Sequence, residues 1–337
     1  MVDGDDLSRC HRLIAIKVNK IPICGRLVRE VGGDYYTMSE EVDKISCCAS
    51  CGIAEGGDVK LKDCSACRLV KYCGIECQRK HRRQHKKKCK KRTAELRDEI
   101  LFKQPESSHY GDCPICCLPL PLDMQKHFFM VCCSKVICFG CHYADHNREF
   151  EGRLNYKCPF CRHPIPISQS REDFERILMK RVEANDPVAM GQMGFQCNKA
   201  GDYGSAVEYW KRAANLGDME AHFNLSVMYY DGHGVEKDEK KQVYHLEEAS
   251  IGGHPDARYY LGGVEEKNGR LDRAIKHWII AANLGSDKAL EALKNAYRYG
   301  LISKDDFASA LRAHQAAVDA TKSPQREEGE AARKQEE

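Results

Sequence analysis

The chain has 337 residues, enough for two or three domains of ordinary size. Its 53 Lys and Arg against 50 Asp and Glu exclude a polycation, so nucleic-acid binding would have to rest on a local patch. The first residues lack the basic and apolar segments of a secretory signal peptide, and no apolar run approaches the ~20 residues of a membrane span.

Cysteine is the unusual residue of this composition. The chain has 20 cysteines, of which 19 precede residue 162, and most of them form C-x2-C pairs. Paired thiols at this spacing in a chain without an export signal indicate metal ligands rather than disulfides. The expected location is therefore intracellular, either cytoplasmic, nuclear or both.

The first two segments differ sharply in composition. Residues 1–46 show weak apolar alternation and a Gly32-Gly33 turn, which predicts a short strand pair or a poorly ordered lead-in of unknown role. Residues 47–90 contain eight candidate ligands, enough for two tetrahedral zinc ions. These ligands are Cys48, Cys51, Cys64, Cys67, Cys73, Cys77, His85 and Cys89.

The spacing of these ligands predicts the local structure that presents them. A C-x2-C pair places two sulfurs on one tight turn, whereas the i,i+4 pairs Cys73/Cys77 and His85/Cys89 share one face of a helical turn. Cys47 could replace Cys48, but only Cys48 has the two-residue gap to Cys51.

Residues 48–89 resemble the MYND zinc finger through these ligands and through the dipeptides Tyr72-Cys73 and Cys77-Gln78. The family usually has Trp four residues before the ligand His, where this sequence has His81, and the change weakens the expected peptide groove more than metal binding. The resemblance implies one zinc held by Cys48, Cys51, Cys73 and Cys77, and another held by Cys64, Cys67, His85 and Cys89.

Such a domain of about 40 residues buries too little apolar surface to fold alone. Zinc binding is expected to supply the folding free energy, on the order of 10 kcal/mol per structural ion. Because protein side chains fill all four positions at each ion, no open position remains for zinc hydrolase chemistry.

A basic run overlaps this block, with ten Lys or Arg among residues 79–92. Two interpretations stay open: a surface for phosphates or a nuclear address, and a solvated helix face around the second zinc. No aromatic residues interleave with the charges, so stacking on single strands is not supported. A linker over 91–109 follows, with a predicted helix at 93–104 that ends before Pro105.

The second cysteine-rich block covers residues 110–167. It resembles a RING finger over about 112–165, through CPIC at 113–116, the spacing of Cys133, Cys138 and Cys141, and CPFCR at 158–162. The resemblance implies a first site of Cys113, Cys116, Cys138 and Cys141, and a second site that contains Cys133, Cys158 and Cys161.

The fourth ligand of that second site is not given by the resemblance. A usual RING has His two residues after Cys133, where this sequence has Lys135, and a protonated amine has no lone pair for zinc. Cys132 is the preferred substitute, as in all-cysteine variants of the finger, and His127 and His142 are the alternatives.

RING fingers recruit ubiquitin-conjugating enzymes and act as ligases without a covalent intermediate. The resemblance implies that Ile115, Pro159 and Arg162 contact the conjugating enzyme. Ile115 and Pro159 would supply apolar contacts at the interface, and Arg162 would supply a planar group with several hydrogen-bond donors. In the alternative interpretation, Ile115 and Pro159 pack the finger and Arg162 is a surface charge.

The rest of the chain is helical in pattern. Within a linker over 168–185, residues 170–184 predict a helix that Ser170 caps. Residues 186–321 repeat with periods of 32, 36 and 32, starting at Ala189, Ala221, Ala257 and Ala289. Each unit predicts two helices, with Gly217, Gly253 and Gly285 in left-handed C-terminal positions and the aromatic residues in the core. The charged tail at 322–337 is expected to be disordered.

The repeats resemble Sel1-like repeats, relatives of tetratricopeptide repeats, through Tyr229-x2-Gly232-x-Gly234-Val235-x2-Asp238 in the longest unit. The family forms concave scaffolds for protein partners. The last unit is degenerate and is expected to cap the array.

Together these features predict a multidomain fold: two small zinc-stabilised cross-brace modules, followed by an all-α helical-hairpin solenoid. The predicted function is a zinc-binding adaptor with four zinc ions, two per module, whose MYND groove and repeats bind protein partners. A RING-type ubiquitin ligase that recruits a conjugating enzyme is the first alternative. A nuclear chromatin or nucleic-acid regulator that uses residues 79–92 is the second. No phosphate-binding loop, nucleophile motif or open metal site supports another enzyme class.

Overall fold

The computed structural model describes residues 46–151, 157–164 and 170–336, so the expectations for residues 1–45 lie outside the described residues. The chain divides into two compact units, Met1–Asp98 and Glu99–Glu337. No helix in the described ranges is long and apolar enough to cross a membrane.

The first unit is built around thiols. Strands β1 (Lys62–Asp63) and β2 (Lys71–Tyr72) pair antiparallel, and helix α1 (Ile75–Leu101) follows. The buried core consists of Cys48, Leu61, Cys64, Cys67 and Tyr72. Three of these five residues are cysteines, so there is too little apolar surface here for a stable core without metal.

Helix α1 is longer than the sequence analysis predicted. A separate helix over 93–104 was expected after the metal-binding segment, but the structure has one helix from Ile75 to Leu101. This stretch contains no Gly or Pro and is rich in Lys, Arg and Glu, which favour helix. The basic run and the predicted linker helix therefore belong to one element.

The second unit begins with the second cysteine-rich module. It contains a 3-10 turn (Met124–Lys126), strands β3 (His127–Met130) and β4 (Lys135–Cys138), and helix α2 (Phe139–Glu151). The two strands form an antiparallel hairpin in which His127 lies opposite Cys138.

Ten helices follow in this unit within the described residues. Helix α3 (Arg171–Glu183) begins after Ser170, whose Oγ accepts the backbone N–H of Asp173. The helices of the repeats are α4 (Pro187–Lys199), α5 (Tyr203–Asn215), α6 (Met219–Asp231), α7 (Glu239–Ile251), α8 (Pro255–Lys267), α9 (Leu271–Asn283), α10 (Asp287–Arg298) and α11 (Lys304–Ala320). The last helix is α12 (Pro324–Glu336).

The glycines that recur with the repeat period of the sequence lie at the ends of helices. Gly217, Gly253 and Gly285 follow helices α5, α7 and α9 with φ of 87°, 86° and 91°, the left-handed conformation expected for them. The predicted fold class, two zinc-type modules followed by a helical-hairpin array, is confirmed.

Two tryptophans fill equivalent positions in the first and third repeats. Trp210 is buried and its indole N–H donates to the carbonyl of Gly191 at 3.2 Å. A Cβ atom on Gly194 would lie 2.6 Å from the Nε1 atom of this indole, so glycine is needed for the close approach. Trp278 and Gly262 repeat the arrangement, since a Cβ atom on Gly262 would collide with the indole Nε1 of Trp278.

The expectation that every aromatic residue of the repeats lies in the core is wrong for several tyrosines. Tyr230 is 63% exposed, Tyr244 is 52% exposed and Tyr260 is 45% exposed. Helical periodicity identifies the buried face, but it does not distinguish a residue in the core from one at the edge of a concave surface.

The expected disorder of residues 322–337 is also wrong for the described part. Residues 324–336 form α12, which packs against α2, and the side of the helix that carries Arg326 and Gly329 is buried. The composition lacks apolar anchors because this contact is made by glycines and a guanidinium rather than by large apolar side chains.

A buried cation lies between helix ends in the second unit. The guanidinium of Arg258 donates to the carbonyls of Leu101 and Ser250 at 2.6 and 2.5 Å. Both carbonyls belong to the last turns of helices, where the aligned peptide dipoles favour a positive charge. Beside it, the fully buried His277 packs on Phe102, with ring centroids 4.6 Å apart.

Burial, together with the positive charges of Arg258 and Arg273, lowers the pKa of His277 to about 3. The unfolded chain has an ordinary histidine pKa near 6.5 and so binds a proton that the folded chain excludes. We expect the native protein to lose about 2 kcal/mol of unfolding free energy between pH 7 and pH 5 through this residue. His277→Leu should remove that part of the loss.

The measurement is urea unfolding at both pH values. His233→Leu is the matched control, since this exposed histidine should leave the pH dependence unchanged. An equal loss of stability in the native protein and in His277→Leu would contradict the assignment.

Candidate metal centres

Four of the five C-x2-C pairs lie on tight turns that are closed by the same hydrogen bond, whereas the fifth, Cys138/Cys141, lies where β4 meets α2. The backbone N–H of the residue after the second cysteine donates to the carbonyl of the first cysteine at 2.8–2.9 Å. The donors have positive φ, between 54° and 75°. They are Gly52, Arg68, Cys117 and Arg162, and the acceptors are Cys48, Cys64, Cys113 and Cys158.

The two modules each contain two clusters of four donor side chains. In every cluster all ligand atoms lie within 4.8 Å of one another. The first module has Cys48, Cys51, Cys73 and Cys77 in one cluster and Cys64, Cys67, His85 and Cys89 in the other; the second module has Cys113, Cys116, Cys138 and Cys141 in one cluster and Cys132, Cys133, Cys158 and Cys161 in the other.

The distances within these clusters fit a tetrahedral ion. Zinc–sulfur bonds of 2.3 Å place the sulfurs of a tetrahedral site about 3.8 Å apart. The Sγ atoms of Cys116 and Cys138 are 3.8 Å apart, and those of Cys64 and Cys89 are 3.9 Å apart. Sulfur donors with one imidazole suit zinc better than harder ions such as magnesium or calcium.

His85 faces its cluster with Nε2, which lies 3.1 Å from the Sγ of Cys67. Its ring stacks on His81, with centroids 5.6 Å apart and planes at 15°. The hydroxyl of Tyr72 lies 3.1 Å from the Nδ1 of His81. His81, where the MYND pattern has Trp, thus supports the ring of the candidate ligand, a role that the sequence analysis missed.

The structure brings Cys132 into the last cluster, with its Sγ atom 3.4 Å from that of Cys161. The two alternative ligands lie elsewhere. His127 Nε2 is 2.7 Å from the carbonyl of Pro121, and the ring of His142 stacks on Phe128 at 3.4 Å.

The clusters favour negative charge on selected thiols. A hydrogen bond from the thiol of Cys138 outweighs burial and lowers the pKa of Cys113 to about 4. Burial raises the pKa of Cys48, but backbone donors of Cys51, Cys73 and Ser50 outweigh it and lower that pKa to about 6. The pKa values of Cys138 and Cys67 are raised instead, Cys138 by its hydrogen bond with Cys113 and Cys67 by burial. A metal ion binds the thiolate form, so each lowered pKa marks a single thiol that favours metal binding.

A fifth group, formed by His109, Glu220 and His254, has ligand atoms equally close together but the wrong geometry for a metal. The two imidazole rings are stacked, 4.1 Å apart and within 6° of parallel, so their in-plane lone pairs do not converge on one point. The Nδ1 of His254 accepts the N–H of Ala257 at 3.3 Å, which leaves the proton on Nε2.

The group is instead a partly buried carboxylate that faces several polar side chains. Glu220 Oε2 lies 3.0 Å from His109 Nε2 and 3.3 Å from His254 Nε2, and it accepts the hydroxyl of Tyr110 at 3.3 Å. Although burial raises the pKa of Glu220, the hydrogen bond from His109 and the charge interactions with both histidines lower it further, and the net shift is downward. The contact fastens the start of the second module to helices α6 and α8.

The three residues predicted to contact a conjugating enzyme lie on two of the closed turns. Ile115 is 41% exposed, Pro159 is half-buried and Arg162 is exposed. Arg162 is also the residue whose N–H closes its turn.

The basic run lies on α1 and is largely open to solvent. Carboxylates pair with its ends, Glu76 with Arg79 and Glu95 with Lys91 and Arg92. Residues 46–98 contain 15 Lys and Arg against six Asp and Glu. Seven exposed cations have no carboxylate partner among the described residues: Lys80, Arg82, Arg83, Lys86, Lys87, Lys88 and Lys90.

Comparison with known families identifies two parts of the chain. Residues 48–89 match the model of the MYND finger. Three segments match the model of the Sel1 repeat, at residues 189–218, 220–254 and 255–286.

Two curated proteins resemble parts of this chain. DAP3-binding cell death enhancer 1 of Mus musculus is 24% identical over 203 residues, which cover 48% of this chain and 39% of that protein. Chitin synthase regulatory factor 4 of Schizosaccharomyces pombe is 30% identical over 86 residues, 25% of this chain and 14% of that protein. The chain thus spans less than half the length of either relative.

Among solved structures, a Sel1 repeat protein from Oxalobacter formigenes is 28% identical, with a TM-score of 0.41. The match covers 46% of this chain and 66% of that one.

Proposed function

We propose that this chain is a non-catalytic adaptor in which four zinc ions hold two modules in shape, and in which the MYND segment and the repeats bind protein partners. The observation that carries the proposal is the presence of four clusters, each with four complete donors. Since side chains supply all four positions, each ion would be structural and would leave no position for a substrate or an activated water.

The geometry of the second module supports its part of this proposal. Its interleaved clusters, its two closed turns at Cys113 and Cys158, and the intervening hairpin and helix favour a RING-like cross-brace. In such a cross-brace the two zinc ions would fix the turns relative to the hairpin.

The repeats offer a surface for a partner. A groove of about 750 Å³ lies among helices α6, α7 and α8, and its lining includes Phe223, Leu246 and Val264. Tyr230 and Tyr260, both exposed, line the same groove. Exposed aromatic residues beside an apolar floor are typical of protein-binding surfaces.

The MYND segment also exposes apolar side chains, with Ile53, Leu69 and Ile75 between 45% and 62% exposed. Two relatives are named for binding or regulating another protein, which supports a role in protein interaction.

A ubiquitin ligase is the second candidate. The exposed Ile115 and Arg162 favour it, because an accessible apolar side chain and an accessible guanidinium could contact a conjugating enzyme. The adaptor proposal needs no such contact.

Binding of a duplex nucleic acid is the third candidate. It is favoured by the seven unpaired cations of α1, which would contact phosphates without reading sequence.

We expect native mass spectrometry of the reduced protein to find four zinc ions per chain. Cys132→Ala should bind three, because it removes one donor from the last cluster. Cys117→Ala is the matched control and should retain four, since Cys117 lies beside Cys116 but in no cluster. Two or fewer ions in the native protein would overturn the proposal.

A self-ubiquitination assay with a panel of conjugating enzymes separates the first two candidates. The adaptor proposal predicts background product from the native protein, from Ile115→Ala and from Arg162→Ala. Product that the native protein forms and both variants lose at least tenfold would establish the ligase instead.

Fluorescence anisotropy with a labelled 20-base-pair duplex tests the third candidate. If α1 binds phosphates, changing Lys86, Lys87, Lys88, Lys90 and Lys91 to Gln should weaken binding at least tenfold. It should also flatten the salt dependence, since each phosphate contact contributes about 0.9 to its slope. The matched control changes Lys237, Lys240 and Lys241 to Gln. Salt-dependent binding that survives the first set of changes would exclude this surface.

A further inference from the structure

The C-terminal helix α12 brings a buried guanidinium to the first cluster of the second module. Arg326 is only 4% exposed, and its Nη2 donates to the Sγ of Cys116 at 3.2 Å and to the carbonyl of Leu118 at 3.0 Å. Its Nη1 donates to the carbonyls of Pro119 and Thr321, both at 2.7 Å. One side chain thus contacts a candidate ligand and the turn that presents it.

A second residue of α12 approaches the same cluster. The amide of Gln325 lies 3.9 Å from the Sγ of Cys141 and 3.4 Å from the carbonyl of Gly140. The approach is close because two glycines face each other: a Cβ atom on Gly329 would lie 2.9 Å from the Cα of Gly140. Any larger residue at either position would push the helix away from the cluster.

The charge of the cluster explains why a guanidinium would stabilise it. Four thiolates around one Zn²⁺ carry a net charge of −2, which is costly in a buried site. A guanidinium is always charged, and its N–H groups can donate to sulfur and to carbonyls at once. Such donors hold the ligands in the orientation that the metal requires.

Other side chains of α12 hold the helix on the module without touching the cluster, so they can be used to test a purely mechanical role of the helix. Arg333 donates to the carbonyl of Gln125 at 2.6 Å and lies over the ring of Phe139, with 5.9 Å to the centroid. Lys126 and Glu330 form an ion pair of 2.8 Å. These contacts hold the helix on the module, but none of them reaches a thiol.

We propose that Arg326 is a positioning residue of the metal centre formed by Cys113, Cys116, Cys138 and Cys141. Through it, the C-terminal helix sets how fast this centre releases its ion. The inference rests on the proposed function, since it takes the cluster to hold zinc.

The test compares zinc release from the full-length, zinc-loaded protein into an excess of a coloured chelator. In Arg326→Gln, one ion per chain should leave about tenfold faster than in the native protein, the usual scale for removing such a partner. Arg333→Gln, the matched control, should release all ions at the native rates.

Native rates in Arg326→Gln would overturn the proposal. Equal acceleration in Arg333→Gln would also overturn it, because the effect would then belong to helix docking alone. If Arg326→Gln fails to fold, Arg326→Lys takes its place under the same criteria, since lysine keeps the charge but not the fork of donors. The total zinc released by the native protein separately tests the proposed function.

Discussion

The hydrogen bond that closes four C-x2-C turns, one in each cluster, is the interaction that both modules rely on. It fixes the donor residue in a left-handed conformation and brings two sulfurs to one side of the turn, as at Cys48 and Cys113. The other half of each cluster comes from a hairpin or a helix, so each site ties together segments that are distant in sequence. With cores made largely of thiols, the modules have little else to stabilise them.

The second module is not an independent finger. Val131, at the end of its hairpin, belongs to the same buried core as Leu178 and Trp210 of the helices. The carboxylate of Glu220 lies within hydrogen-bond distance of His109 at the start of the module and 3.3 Å from the Nε2 atom of His254 in the repeats. The module and the repeats therefore present their surfaces in a fixed relation, which suits an adaptor that holds one partner against another.

The sequence predicted those features that depend on local spacing. The turns at Cys64 and Cys158, the repeat period and the terminal glycines are all set by residues a few positions apart. The sequence did not predict contacts between polar residues far apart in the chain, such as Arg326 with Cys116, because these leave no apolar periodicity. Nor did it predict the exposure of Tyr230, since an aromatic residue has the same pattern in a core and on a concave surface.

Hydrogen exchange before and after removal of metal from the reduced protein shows whether coordination holds the closed turns. The amides of Gly52, Arg68, Cys117 and Arg162 should lose their protection on chelation, whereas the amide of Leu261, inside α8, should keep it. Unchanged protection of the four turn amides after complete chelation would mean that the turns stay closed without metal.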